Sequence, residues 1–128
     1  MDKVLLVAAG GAAGAVMRYL TGMGALRLFG PGWPWGTLTV NVVGGFAMGL
    51  LAAALALRGG DDQDRWRVLL GVGVLGGFTT FSAFSLEVAT MIERREWPQA
   101  FGYTTLSVVL SVAALFAGLM LARRMLPA

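Results

Sequence analysis

The sequence predicts an all-α membrane protein with four transmembrane helices per chain, the third broken near its middle. Three observations carry this. Of the 128 residues, 57% are hydrophobic and only 13% charged, with a mean hydropathy of +0.73. That is about half the charged fraction of a soluble domain, too little polar surface to cover a water-soluble globule. Uncharged apolar windows long enough to cross hydrocarbon, roughly 20 residues each, recur along the chain. The 19 glycines supply the small residues through which membrane helices pack. There is no cysteine and no histidine, which removes disulfides, thiolate or imidazole metal sites, a Cys nucleophile and a histidine base, so no enzyme is expected. The ten Lys and Arg are spread along the chain and form no nucleic-acid patch, so no nucleic-acid partner is expected.

One transmembrane domain is expected over residues 1–128, with helices at about 4–28, 36–57, 67–92 and 98–122. The first window begins at Val4 and is uncharged up to Arg18. It lacks the short apolar core and cleavage site of a signal peptide, so it reads as a real helix. Pro31, Gly32 and Pro34 interrupt the next apolar stretch and place a turn at the interface. Helix two therefore starts near Gly36, with Trp33 and Trp35 at headgroup depth. Arg58 to Arg67 is the one extended polar stretch and forms an aqueous loop. In the third window Gly71, Gly73, Gly76 and Gly77 precede Thr79, Thr80, Ser82 and Ser85, poor material for a regular lipid-facing helix. Glu93 to Glu96 make the last turn, and Pro98 opens helix four at a position where a missing N–H costs nothing.

Four spans put both termini on one side with the loop after helix two. Six Lys or Arg (Lys3, Arg58, Arg65, Arg67, Arg123, Arg124) lie near helix ends there, against three opposite (Arg27, Arg94, Arg95). The positive-inside rule mildly favours cytoplasmic termini, and the acidic cluster Asp61, Asp62 and Asp64 counts for little.

Each polar residue inside a span asks for a partner or a purpose. Thr37 and Asn41, four apart, share one face of helix two above Gly44, Gly45 and Gly49. Spacing alone favours an interhelical hydrogen bond for Asn41; an amide offering donors to a permeating species is the other reading. Tyr103, Ser107 and Ser111 line helix four at intervals of four, a nearly continuous hydroxyl stripe roughly 12 Å long. One hydroxyl is glue, whereas a stripe suggests a path. At Gly76 to Ser85, paired glycines and threonines argue for a broken helix, and freed carbonyls at bilayer depth are tolerated only around a cavity or an ion. Those carbonyls would suit a hard cation. Phe81 and Phe84, three apart, would share a face; by composition alone they read as core or lipid-facing. Three roles are open to Arg18: ending the apolar section, pairing with Glu87, or lining an anion vestibule.

Three segments together resemble the CrcB/Fluc family of fluoride channels: Gly32-Trp-Pro-Trp-Gly-Thr-Leu-Thr-Val-Asn41 with Gly44 and Gly45, then Gly76-Gly-Phe-Thr-Thr-Phe-Ser-Ala-Phe-Ser85, then Tyr103, Ser107 and Ser111. The resemblance covers almost the whole chain. It implies a homodimer of two antiparallel subunits with dual topology in the cell (inner) membrane and two fluoride pores per dimer. By position, Asn41, Phe81 and Phe84 would line the pore, with Thr37, Tyr103, Ser107 and Ser111 adding hydroxyls and Arg18 at a vestibule. A structural sodium ion, not transported, would sit at the dimer centre on the backbone carbonyls of Gly76 and Thr79 from both subunits.

The resemblance implies passive fluoride export that lowers fluoride toxicity. An alternative of another class is a proton-coupled exporter of the small multidrug resistance type, which needs a membrane-embedded glutamate in helix one. No acid follows Asp2 in that helix here. A structural or assembly subunit is the third reading, and it would need neither aligned hydroxyls nor a broken helix.

Overall fold

The computed structural model describes residues 2–57, 60 and 63–125, and all regular structure among them is helical. The expected loop cations and acids Arg58, Asp61 and Asp62 lie outside the described residues. Helix α1 spans Asp2–Phe29, α2 Trp35–Leu57 and α3 Gln63–Trp66. A π-helical stretch, π1, follows at Arg67–Leu75, then α4 at Gly76–Phe78, α5 at Ser82–Glu93 and α6 at Trp97–Met125. Four stretches are long and apolar enough to cross a membrane: Lys3–Phe29, Trp35–Leu57, Gln63–Glu93 and Trp97–Met125. The chain is a multi-pass membrane protein.

Local chemistry sets the boundaries. Gly30 takes φ 77°, and its N–H bonds Leu26 O at 2.9 Å, the left-handed stop that glycine reaches without a Cβ penalty. Pro31 and Pro34 then keep the turn open, and the Pro34 carbonyl receives the Leu38 N–H at 3.2 Å to begin α2. Between α5 and α6 the same reversal falls on Arg95 at φ 61°. There the Glu96 N–H reaches back to Met91 O at 2.8 Å.

Glycines decide which helices approach. The chain pairs α1 with π1 and α4, and α2 with α6. A Cβ on Gly14 would collide with the Val74 carbonyl, and one on Gly77 would stand 2.6 Å from Gly11 O. Across the second seam, Gly49 meets the Leu115 carbonyl and Gly118 meets that of Phe46, both too close for any side chain. With lipid tails as apolar as leucine, such backbone proximity is what holds membrane helices together.

The π1 turns are wider than α, and they close where the Gly76 N–H points at both Gly71 O and Gly73 O. After Phe78 the backbone leaves helical geometry: Thr79 is extended at φ −82°, ψ 160°. Helical hydrogen bonding resumes at Ser82. The densest core lies beside this interruption, where Leu38, Phe84, Met91, Ala100 and Tyr103 cluster with Trp33, Val42 and Val88. At the end of the bundle holding the start of α1, Asp64 receives both Lys3 and Arg67, tying α1 to α3.

Candidate functional site

The interruption is joined through polar groups to α1 at Gly77 of α4 and to α2 at Thr80, which lies between α4 and α5. Asn41, on α2, bonds the Thr80 backbone twice: Nδ2 donates to Thr80 O at 3.0 Å, and Thr80 N–H donates to Oδ1 at 2.9 Å. The amide thus stands in for a peptide neighbour and satisfies both backbone groups of Thr80. Arg18, on α1, donates from Nε to Gly77 O at 3.1 Å. Its place is settled by that carbonyl, and among the described residues the ion pairs are those of Asp64, not one between Arg18 and Glu87.

These bonds change what the backbone offers. In a continuous helix the Thr80 N–H would reach Gly76 O, and the Ala83 N–H would reach Thr79 O. Here the first goes to Asn41 and the second to Thr80 Oγ1 at 3.2 Å. The carbonyls of Gly76 and Thr79 therefore lose their helical donors. Oxygens freed in this way are the donor type a hard cation takes. Gly44 matters here too, since a Cβ on it would overlap the Thr79 methyl.

A second polar cluster sits between α2, α5 and α6. Thr37 Oγ1 donates to Glu87 Oε2, and the Tyr103 hydroxyl donates to Glu87 Oε1, each at 2.8 Å. The Tyr103 ring is wholly buried, 5.3 Å from Phe84 and 5.2 Å from Trp33 in an edge-on arrangement. Phe84 is buried and Phe81 is 78% exposed, with ring centroids 5.6 Å apart.

Asn41, Phe81, Phe84, Ser107 and Ser111 all line one cavity of about 410 Å³, with Thr79, Thr80 and Gly44 among its other walls. Ser107 Oγ is buried there without a hydrogen-bond partner. Of the expected hydroxyl stripe, Ser107 and Ser111 face this cavity, while Tyr103 turns its hydroxyl to Glu87. Thr37 and Arg18 line a different space, of about 290 Å³, with Thr80 and Ala83. Thr37 and Glu87 also border an outer cavity of about 500 Å³ that includes Trp33, Trp35 and Arg94.

The sequence points to Glu87 only as a partner for Arg18, and it does not mark Thr80 or Gly77 as the residues that Asn41 and Arg18 hold. A signal for Glu87 exists. Phe84, Glu87 and Met91 recur at helical spacing on one face of α5, and the two apolar members of that face are buried.

Comparison with known proteins follows the same lines. The family model described as CrcB-like protein, Camphor Resistance (CrcB), matches residues 5–119. A protein of Caulobacter sp. (strain K31) named fluoride-specific ion channel FluC is 72% identical over 124 residues, covering 97% of both chains. Proteins of the same name from Phenylobacterium zucineum and Mesorhizobium japonicum are 69% and 55% identical, covering 97% and 96% of this chain and 98% of each relative. The motifs around Asn41, Thr80 and Phe84 thus sit in a chain similar throughout to these proteins, and it belongs to the CrcB-like family.

Proposed function

We propose that this chain forms a passive, fluoride-selective channel through which fluoride leaves the cytoplasm down its electrochemical gradient, lowering fluoride toxicity. The observation that carries the reading is the cavity of about 410 Å³ lined by Phe81, Phe84, Ser111, Asn41 and Ser107, whose buried hydroxyl makes no hydrogen bond within the chain. The shared name of relatives up to 72% identical supports it. A coupled exporter has no acid on α1 between Lys3 and Phe29 to carry it.

Fluoride is small and strongly hydrated, so a selective path must replace its water with donors in a space too narrow for larger halides. Ser107 and Ser111 supply O–H donors, and Asn41 keeps a second amide N–H beyond the one given to Thr80. Phenyl edges carry the positive part of the ring quadrupole, which gives Phe81 and Phe84 a role toward an anion. Thr37 and Tyr103 add hydroxyls at the Glu87 end, where turning an O–H from the carboxylate to the anion exchanges one acceptor for another. Arg18 spends one of its donors on Gly77 and keeps others in the vestibule it lines, where its charge would raise the local anion concentration. An inside-negative potential drives the anion outward by about 2.3 kcal/mol per 100 mV.

The channel is an antiparallel homodimer of dual topology in the cell (inner) membrane, with two pores. Phe81 and much of the apolar surface are exposed on a single chain, which supports burial by a second copy and by lipid. A structural sodium at the dimer centre would be held by the carbonyls of Gly76 and Thr79 from both subunits, and it would supply fixed positive charge without being transported. The loss of helical donors at those two carbonyls supports this assignment.

Purified protein in liposomes loaded with fluoride and chloride tests the reading. Efflux of fluoride with chloride retained is expected, and the absence of electrogenic fluoride flux would overturn it.

A further inference from the structure

The interruption in the third span is held from outside by two side chains, and what they hold determines what stays free. From Leu75 to Thr80 the carbonyls fall into two groups. Leu75 O accepts both the N–H and the hydroxyl of Thr79, each at 3.0 Å. Gly77 O accepts Arg18 Nε, and Thr80 O accepts Asn41 Nδ2. Gly76, Phe78 and Thr79 are left: the helical donors of Gly76 and Thr79 go to Asn41 Oδ1 and Thr80 Oγ1, and Phe78 ends its helix where the chain turns extended.

We infer that Arg18 and Asn41 are positioning residues for the cation site, a role that rests on the sodium reading above. By holding Gly77 and Thr80 from α1 and α2, they take those two carbonyls out of play and leave those of Gly76 and Thr79 among the free ones. Asn41 Oδ1 competes with Gly76 O for the Thr80 N–H. Without the amide, a Thr79 that returned to helical ψ would send that N–H back to Gly76 and remove an oxygen from the cation. Arg18 acts one residue away. Engaging Gly77 keeps that carbonyl out of the site and anchors the backbone between the two proposed oxygens to α1. The same two residues also line cavities on the proposed anion path, so cation binding and anion passage share one hydrogen-bonded support.

The sign of the effect separates positioning from simple electrostatics. A guanidinium near a cation site repels the cation, so its removal would tighten sodium binding if charge were its whole contribution. Positioning predicts the reverse.

The experiment follows the thermal unfolding midpoint of the purified full-length protein as sodium is titrated against N-methylglucamine at constant ionic strength. Wild type is compared with Arg18→Gln and Asn41→Ser. The half-saturating sodium concentration is expected to rise at least tenfold in both variants. A residue that merely supports the fold would lower the midpoint at every sodium concentration and leave half-saturation in place, which would overturn the inference. Unchanged or tighter half-saturation in both variants would do the same. A wild-type midpoint insensitive to sodium would instead overturn the sodium reading itself, and the inference with it. If Arg18→Gln does not yield folded protein, Arg18→Lys provides the comparison and is expected to shift half-saturation in the same direction by less.

Discussion

The bundle carries two polar clusters that differ in what they bond to. Asn41 and Arg18 bond to backbone and stand in for bonds that the third span has lost. Thr37, Glu87 and Tyr103 bond to one another, beside an α5 whose helix is intact. In hydrocarbon a peptide group without a partner has no water to fall back on. A side-chain cluster bordering an open cavity can exchange partners. The first cluster is therefore a support and the second a set of adjustable donors, although the two share α2 and both border the Phe84 core.

The two clusters differ most in what a substitution at Asn41 would cost. Asn41→Ala leaves the Thr80 N–H and carbonyl unpartnered, at about 1–3 kcal/mol for each buried group. A clear fall in unfolding midpoint and a flux loss of about 100-fold or more are expected together, read by thermal melts and liposome efflux. Phe81→Ile separates the two quantities. The ring is exposed on the single chain, so the fold of each subunit should change by less than about 0.5 kcal/mol, while flux falls by about 100-fold. Intact flux would remove Phe81 from the pore.

Ser107 offers a sharper separation. Its buried hydroxyl has no partner, so Ser107→Ala should leave stability unchanged or raise it by up to about 1 kcal/mol, yet slow fluoride about tenfold. Parallel loss of both would mark Ser107 as a packing residue. Glu87→Gln is the mildest change to the second cluster. The amide oxygen still accepts one hydroxyl, so the cost to stability should stay near about 1 kcal/mol, the difference between a charged and a neutral acceptor. A collapse of the fold comparable to Asn41→Ala would erase the distinction between the clusters.

The sequence makes the local events legible and leaves the pairings dark. Pro31, Gly32 and Pro34 mark the start of α2 because they act on their own backbone, and the small residues at Gly44 and Gly49 announce close approach without saying to what. Asn41 reads from spacing as a donor for some other helix, and it does bond across the bundle. That its partner is the Thr80 backbone depends on how α2 is rotated against the third span, which no local pattern encodes. Arg18 is the same case, since its Gly77 partner lies 59 positions away. The wide turns of π1 leave no sign either; they lie where Gly10 and Gly14 of α1 approach the Leu69 and Val74 backbone, a contact between distant segments. Glu87 was readable in part from the face it shares with Phe84 and Met91, but its hydroxyl donors come from two other helices.

The reversal potential in a planar bilayer tests the central claim most directly. With a tenfold fluoride gradient and equal chloride on both sides, the account predicts current that reverses at about 59 mV, the value for a single monovalent ion. Reversal near zero, or no fluoride current at all, would contradict it.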